Sequence, residues 1–142
     1  MNGPRSFATF ESEHHGTGVK TLEPIANGAI VMRYEGERLK CREARTRERQ
    51  QAEQGEENAY MFWFWCNDKW HIIDASRSEH ISRYINHSKR NANIAPVAMA
   101  RRRGEPEIVF KALRSIEAGE ELLFDYGDDR RDVVKDHQWL KE

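Results

Sequence analysis

Two segments of this chain, Arg83-Tyr84-Ile85-Asn86-His87-Ser88 and Glu120-Glu121-Leu122-Leu123-Phe124-Asp125-Tyr126-Gly127, place reactive side chains inside otherwise apolar sequence. A histidine beside a serine invites nucleophilic catalysis. That chemistry needs a Ser or Cys activated by the His and oriented by an acid, and the chain has no nucleophile-elbow motif. A hydrogen-bonded structural histidine is therefore the preferred reading of His87. Tyr126 beside Asp125 has two readings, a core tyrosine with a satisfied hydroxyl or a hydroxyl held at a reacting centre. Upstream, the glycines of His15-Gly16-Thr17-Gly18 let backbone pass close to a ligand, although a tight turn asks for the same residues. Tyr60-Met61-Phe62-Trp63-Phe64-Trp65 sets five aromatics in six positions. Strand alternation sends Tyr60, Phe62 and Phe64 to one side and Met61, Trp63 and Trp65 to the other. Either both faces are packed or one lines a pocket for an alkyl stem and ammonium.

The elements that must position these groups are mostly strands. Short apolar runs at 6–10, 18–22, 30–34, 60–66, 70–74, 94–100, 108–113 and 121–124 read as strands. Asn27-Gly28, Asn67-Asp68, Arg103-Gly104 and Ala118-Gly119 supply turn chemistry between them. Residues 38–57, rich in Arg, Glu and Gln, predict a surface helix, and Val133, Val134, His137 and Leu140 share one face of a closing helix over about 129–140. The fold class is thus mostly β with few helices. A length of 142 residues suits one domain spanning 1–142.

The net charge of −1 excludes a global field for nucleic acid or anionic membranes, so a basic partner must meet a local acidic patch. Cys41 and Cys66 have no metal-ligand spacing, no metal is expected, and their contexts suit reduced intracellular thiols. No run approaches the roughly 18 apolar residues of a membrane span, and the first residues lack a signal-peptide layout. The expectation is a soluble intracellular protein.

Taken in order, the glycine loop with Val19, the Asn27-Gly28-Ala29-Ile30-Val31 and Tyr34-Glu35-Gly36 stretches, Asn86-His87-Ser88 and Glu120 to Gly127 resemble the signature motifs of the SET domain. The match runs from about Gly16 to Leu140. Within that family the chain is most similar to the PR-Set branch of nuclear histone lysine monomethylases, through Ile85 to Lys89, Ala118 to Leu123 and Trp139-Leu140-Lys141. The resemblance implies small sheets, a C-terminal pseudoknot in which the last motif threads under a loop, and a closing helix. It also implies methyl transfer from S-adenosylmethionine to a protein lysine, leaving S-adenosylhomocysteine. Carried over residue by residue, Gly16, Thr17, Gly18, Tyr60, Arg83, Asn86, His87 and Trp139 would bind the cofactor. Tyr34, Tyr60 and Phe124 would line the lysine channel, with Tyr126 as the catalytic residue.

Two positions depart from that branch. Phe124 stands where monomethylating relatives carry a tyrosine that crowds the amine, which implies di- or trimethylation here. Thr17 stands where the branch carries an arginine against the cofactor carboxylate, leaving Lys20 or Arg83 as substitutes. The substrate is expected to be a basic peptide, foremost a histone tail, lying in a groove bordered by residues 38–57 and drawn by Glu35, Glu37, Asp125 and Asp128. A histone substrate implies the nucleus, any other the cytoplasm. Rival readings are a SET-like peptide-binding module without turnover, a methyltransferase of a non-histone protein, and a nucleic-acid binder. The last is disfavoured because the basic runs 38–49 and 101–103 carry no aromatics of their own.

Overall fold

The computed structural model describes residues 6–13, 16–55, 60–101 and 103–125. Strands β1 (Phe7–Ser12) and β2 (Gly16–Thr21) form an antiparallel hairpin. Then come β3 (Ile30–Arg33), β4 (Glu37–Leu39), helix α1 (Cys41–Glu53), β5 (Met61–Cys66) and β6 (Lys69–Asp74). A 3-10 turn at Ile81–Tyr84 leads into β7 (Asn86–His87), followed by β8 (Ile94–Met99), β9 (Glu107–Ala112) and β10 (Leu123–Phe124). The sheets are β1-β2, a three-stranded β4-β6-β5 and a five-stranded β3-β9-β8-β10-β7. All eight strand runs read from the sequence are present, with shifted ends.

The turn residues act as their chemistry requires. Asn67 and Asp68 both take positive φ, 53° and 62°, the geometry that joins β5 to β6 with the right twist. Strand β5 packs on both sides. Phe62 and Phe64 enter the main core with Val19, Ile94, Phe110, Leu122 and Phe124. Met61 and Trp63 face a second cluster with Leu39, Ile72 and Ala44 of α1.

The helix is narrower than the 38–57 reading. Arg38 pairs with Ile73 and Leu39 with Ile72, so the chain is extended until Lys40. The helix then starts with the Glu43 carboxylate accepting from the Lys40 amide at 3.3 Å. Strands β4 and β7 and the 3-10 turn were not read from the sequence, because a segment of two to four residues carries no periodicity to detect. The closing helix over 129–140 lies outside the described residues.

Strand β10 sets the topology. It runs parallel to both β7 and β8, entering between two strands that are themselves joined by the 88–93 loop. Ser88 donates its amide to the Phe124 carbonyl at 2.8 Å, and the Asn93 amide donates to the Leu123 carbonyl at 2.9 Å. The C-terminal motif is thereby held on both sides by the loop it crosses, the arrangement the resemblance implied.

Candidate active site

The glycine strand comes first. Gly16, with φ +73°, opens β2, and Gly18 is buried. A Cβ at Gly18 would lie 2.5 Å from Glu121 Oε2 and 3.2 Å from Asn86 Nδ2, so a side chain there would displace both groups. The Asn86 amide donates to the Thr17 carbonyl and to Glu121 Oε2, each at 3.1 Å. Three segments far apart in sequence therefore meet at one point. Backbone bonds from Leu122 to the Val19 carbonyl (2.8 Å) and from Thr21 to the Glu120 carbonyl (3.1 Å) hold the C-terminal segment along β2.

Glu121 and Asn93 are the residues that sequence reasoning missed here. Glu121 lies inside the last motif, and its carboxylate is the one that reaches Gly18. Asn93 is buried, and its side chain donates to the Glu121 carbonyl at 2.8 Å and accepts from the Leu123 amide at 2.9 Å. No sequence signal marks Asn93, which sits in an ordinary polar loop.

The aromatic group lies on the main core. Phe124, 4% exposed, stands 5.1 Å from Phe110 and 6.4 Å from Phe62, ring centre to ring centre. Tyr34, 5% exposed, touches the same two rings, at 6.0 and 5.7 Å. Its hydroxyl donates to the Tyr60 carbonyl at 2.6 Å, tying the end of β3 to the start of β5. Tyr34 and Phe124 thus share the Phe62 and Phe110 rings, and Tyr60 is joined to them through its carbonyl on the Tyr34 hydroxyl.

Arg83 sits between the Tyr60 and Tyr84 rings, its guanidinium carbon 4.8 and 5.1 Å from their centres. It donates to the Ser78 carbonyl at 3.1 Å, while its buried Nε has no acceptor among the described residues. A desolvated N–H without an acceptor is costly, which suits a site built to receive an anionic group. The Arg83 guanidinium and the tyrosine faces that flank it suit a ligand that carries an anionic group. The methionine end of the expected cofactor belongs to that class.

Other expected residues are placed differently. The Thr17 hydroxyl donates to Glu11 across the β1-β2 hairpin at 3.1 Å, so only its carbonyl faces Asn86. Lys20 lies over the Phe10 ring at 5.9 Å. His87 is exposed, with Nε2 3.1 Å from Asp125 Oδ1 and its ring edge-on to Phe124. Glu35 is paired with Arg33 and His80, and Glu37 with Arg47. The described members of the set expected to draw a basic peptide, Glu35, Glu37 and Asp125, therefore already hold cationic or histidine partners within the chain. Tyr126, Asp128 and Trp139 lie outside the described residues. Among the described residues no group of His, Cys, Asp and Glu is placed to hold a metal ion, and no helix is long and apolar enough to cross a membrane.

A family model described as "SET domain" matches residues 16–127. N-lysine methyltransferase KMT5A-A of Danio rerio is 37% identical over 91% of this chain and 37% of its own length. Histone-lysine N-methyltransferase Set8 of Drosophila melanogaster is 32% identical over 88% of the chain and 18% of its own. The chain thus spans little more than a third of the first of these relatives. Among solved structures, CpSET8 from Cryptosporidium is similar with a TM-score of 0.78 and 32% identity, over 89% of this chain and 59% of that one. A Chaetomium thermophilum Polycomb Repressive Complex 2 structure bound to S-adenosylmethionine reaches a TM-score of 0.79 at 32% identity, over 94% and 16%. The crossing of the last motif between β7 and β8, the meeting of Gly18, Asn86 and Glu121, and a match covering most of the chain have one common account: this chain belongs to the SET domain family.

Proposed function

We propose that the protein is a protein-lysine N-methyltransferase that uses S-adenosylmethionine. The observation that carries this reading is the convergence of Gly18, Asn86 and Glu121 beside the Tyr34, Tyr60 and Phe124 aromatic group, in a chain of the SET family. Relatives that are N-lysine and histone-lysine methyltransferases support it. Gly16, Gly18, Asn86, His87 and Arg83 hold the cofactor, and Glu121 is added to them. Trp139 covers it.

When bound, S-adenosylmethionine supplies an electrophilic methyl group on a cationic sulfur. The chain's own task is to present a lysine as a free amine. An unperturbed lysine, with a pKa of about 10.4, is almost wholly protonated at neutral pH. Tyr34, Tyr60 and Phe124 exclude water from its stem, and desolvation beside a positive charge lowers that pKa. Tyr126 then orients the nitrogen lone pair through its hydroxyl, so alignment and a preorganised field provide most of the rate gain. No strong base is required.

The substrate is a protein, with a histone tail first among candidates and the nucleus as the corresponding compartment. Phe124 in place of a channel tyrosine leaves room for methyl groups already added, so the product is di- or trimethyl-lysine. The test is incubation with labelled cofactor and a histone mixture, repeated with Tyr126→Phe. Transfer by the parent protein and its loss in the variant support the reading. Peptide binding with no transfer to any protein substrate puts a binding module without turnover in its place.

A further inference from the structure

A pocket of about 760 Å³ lies where the β5-β6 hairpin meets the start of α1, and its lining shares no residue with the candidate active site. Its walls carry Arg38, Lys40, Arg42 and Lys69 together with Trp65 and Trp70. None of these four cations is ion-paired with a described carboxylate. The indoles pack edge to face, 5.5 Å apart at 77°, and Trp65 remains 48% exposed at the hairpin end. Three carboxylates share the lining. Glu43 is bonded to the Lys40 amide, Glu105 lies 3.1 Å from His71 Nδ1, and Asp68 sits in the tight turn.

The cationic lining continues beyond the pocket. Arg42, Arg45 and Arg49 share one face of α1 by their spacing, and none is paired with a described carboxylate. The stripe extends about 10 Å along the helix axis. Burial pulls the Arg38 guanidinium down from its ordinary value, against the attraction of Glu105 and Glu107. A partly desolvated, unpaired cation gains by meeting an anion.

We propose that this groove binds single-stranded nucleic acid, its phosphates along Arg38, Lys40, Arg42 and the α1 stripe, and an unpaired base stacked on Trp65. Charge and aromatics are both needed to choose the occupant. An acidic peptide would use the cations but leave the exposed indole idle, whereas a base uses it and its phosphates use the rest. The basic run at the start of a surface helix becomes a groove because folding brings Trp65 and Trp70, distant from that run in sequence, to its head.

The test is fluorescence anisotropy with labelled uridine and thymidine oligonucleotides of about 15 nucleotides, against a duplex and a poly-glutamate peptide of matched length. Single strands are expected to bind with an affinity that falls steeply with salt. Trp65→Ala should weaken binding about tenfold, and Trp65→Tyr should restore it. Lys40→Glu with Arg42→Glu should weaken it further and flatten the salt dependence by about one to two units of slope. All variants should melt with the parent, and if Trp65→Ala does not, the charge-reversed pair decides. No binding at low salt, equal binding of duplex or poly-glutamate, or parental affinity in the folded Trp65→Ala variant would overturn the proposal. Oligonucleotide binding is read without cofactor or methyl transfer, so failure of this proposal and failure of the proposed function are seen separately.

Discussion

Phe124 fills its place between Phe62, Phe110 and His87 with carbon alone. A para hydroxyl there would add a polar group needing a partner in an almost closed site. Phe124→Tyr is expected to shift products towards monomethyl-lysine in a mass-spectrometric time course, with total turnover changed less than about tenfold. An unchanged product distribution removes Phe124 as the determinant. Two glycines near the site should fail in different ways. The Cβ of Gly18→Ala meets the movable ends of Glu121 and Asn86, so the fold should survive with a loss of about 1 kcal/mol. Cofactor affinity by calorimetry should fall at least about tenfold. The Cβ of Gly36→Ala meets the Asp74 carbonyl at 2.5 Å, which is backbone and does not swing aside. That variant should lose about 2–3 kcal/mol of stability in urea unfolding.

At the scale of elements, α1 is fastened by Arg47. One guanidinium nitrogen reaches Glu37 of β4 at 2.8 Å and Asp74 of β6 at 2.9 Å, and the Asp74 side chain is fully buried. Removing Arg47 leaves that carboxylate without its cation. Arg47→Met should therefore cost about 2–3 kcal/mol, below the range for a wholly buried pair because Arg47 is partly wet. The hydrogen bond from Arg47 holds the Glu37 carboxyl below its ordinary value. A depressed carboxylate contributes stability that is complete above its unfolded-state pKa and is lost as pH falls through the lower folded value. Since Glu37 is nearly half exposed, this share is small and screened by salt. Parent and Arg47→Met melting curves should differ most at neutral pH and draw together in acid. Little of this fastening was legible beforehand. Arg47 looked like one charge in a mixed run, because ion pairing across elements depends on which residue lies opposite, and sequence spacing carries no such record.

Across the whole molecule, the C-terminal motif is a structural part of the fold. Segment 119–124 bonds to β2, β7, β8 and Asn93, and Leu122 and Phe124 belong to the main core. A chain stopped after Ala118 should lose cooperative unfolding and near-ultraviolet circular dichroism while keeping much of its strand signal in the far ultraviolet. A truncated chain that still melts cooperatively would mean that β10 is an ornament of the fold. By itself the sequence determined the strand runs, the turn at Asn67-Asp68, the alternation of β5 and the family, because these rest on local φ preference, two-residue alternation and ordered motifs. Only the tertiary structure decided that β4 interrupts the helical run, that Glu121 and Asn93 serve the site, and that Trp65 and Trp70 head a cationic groove. Each of these depends on contacts between residues far apart along the chain, and such contacts are selected by packing and strand pairing after the local signals are spent.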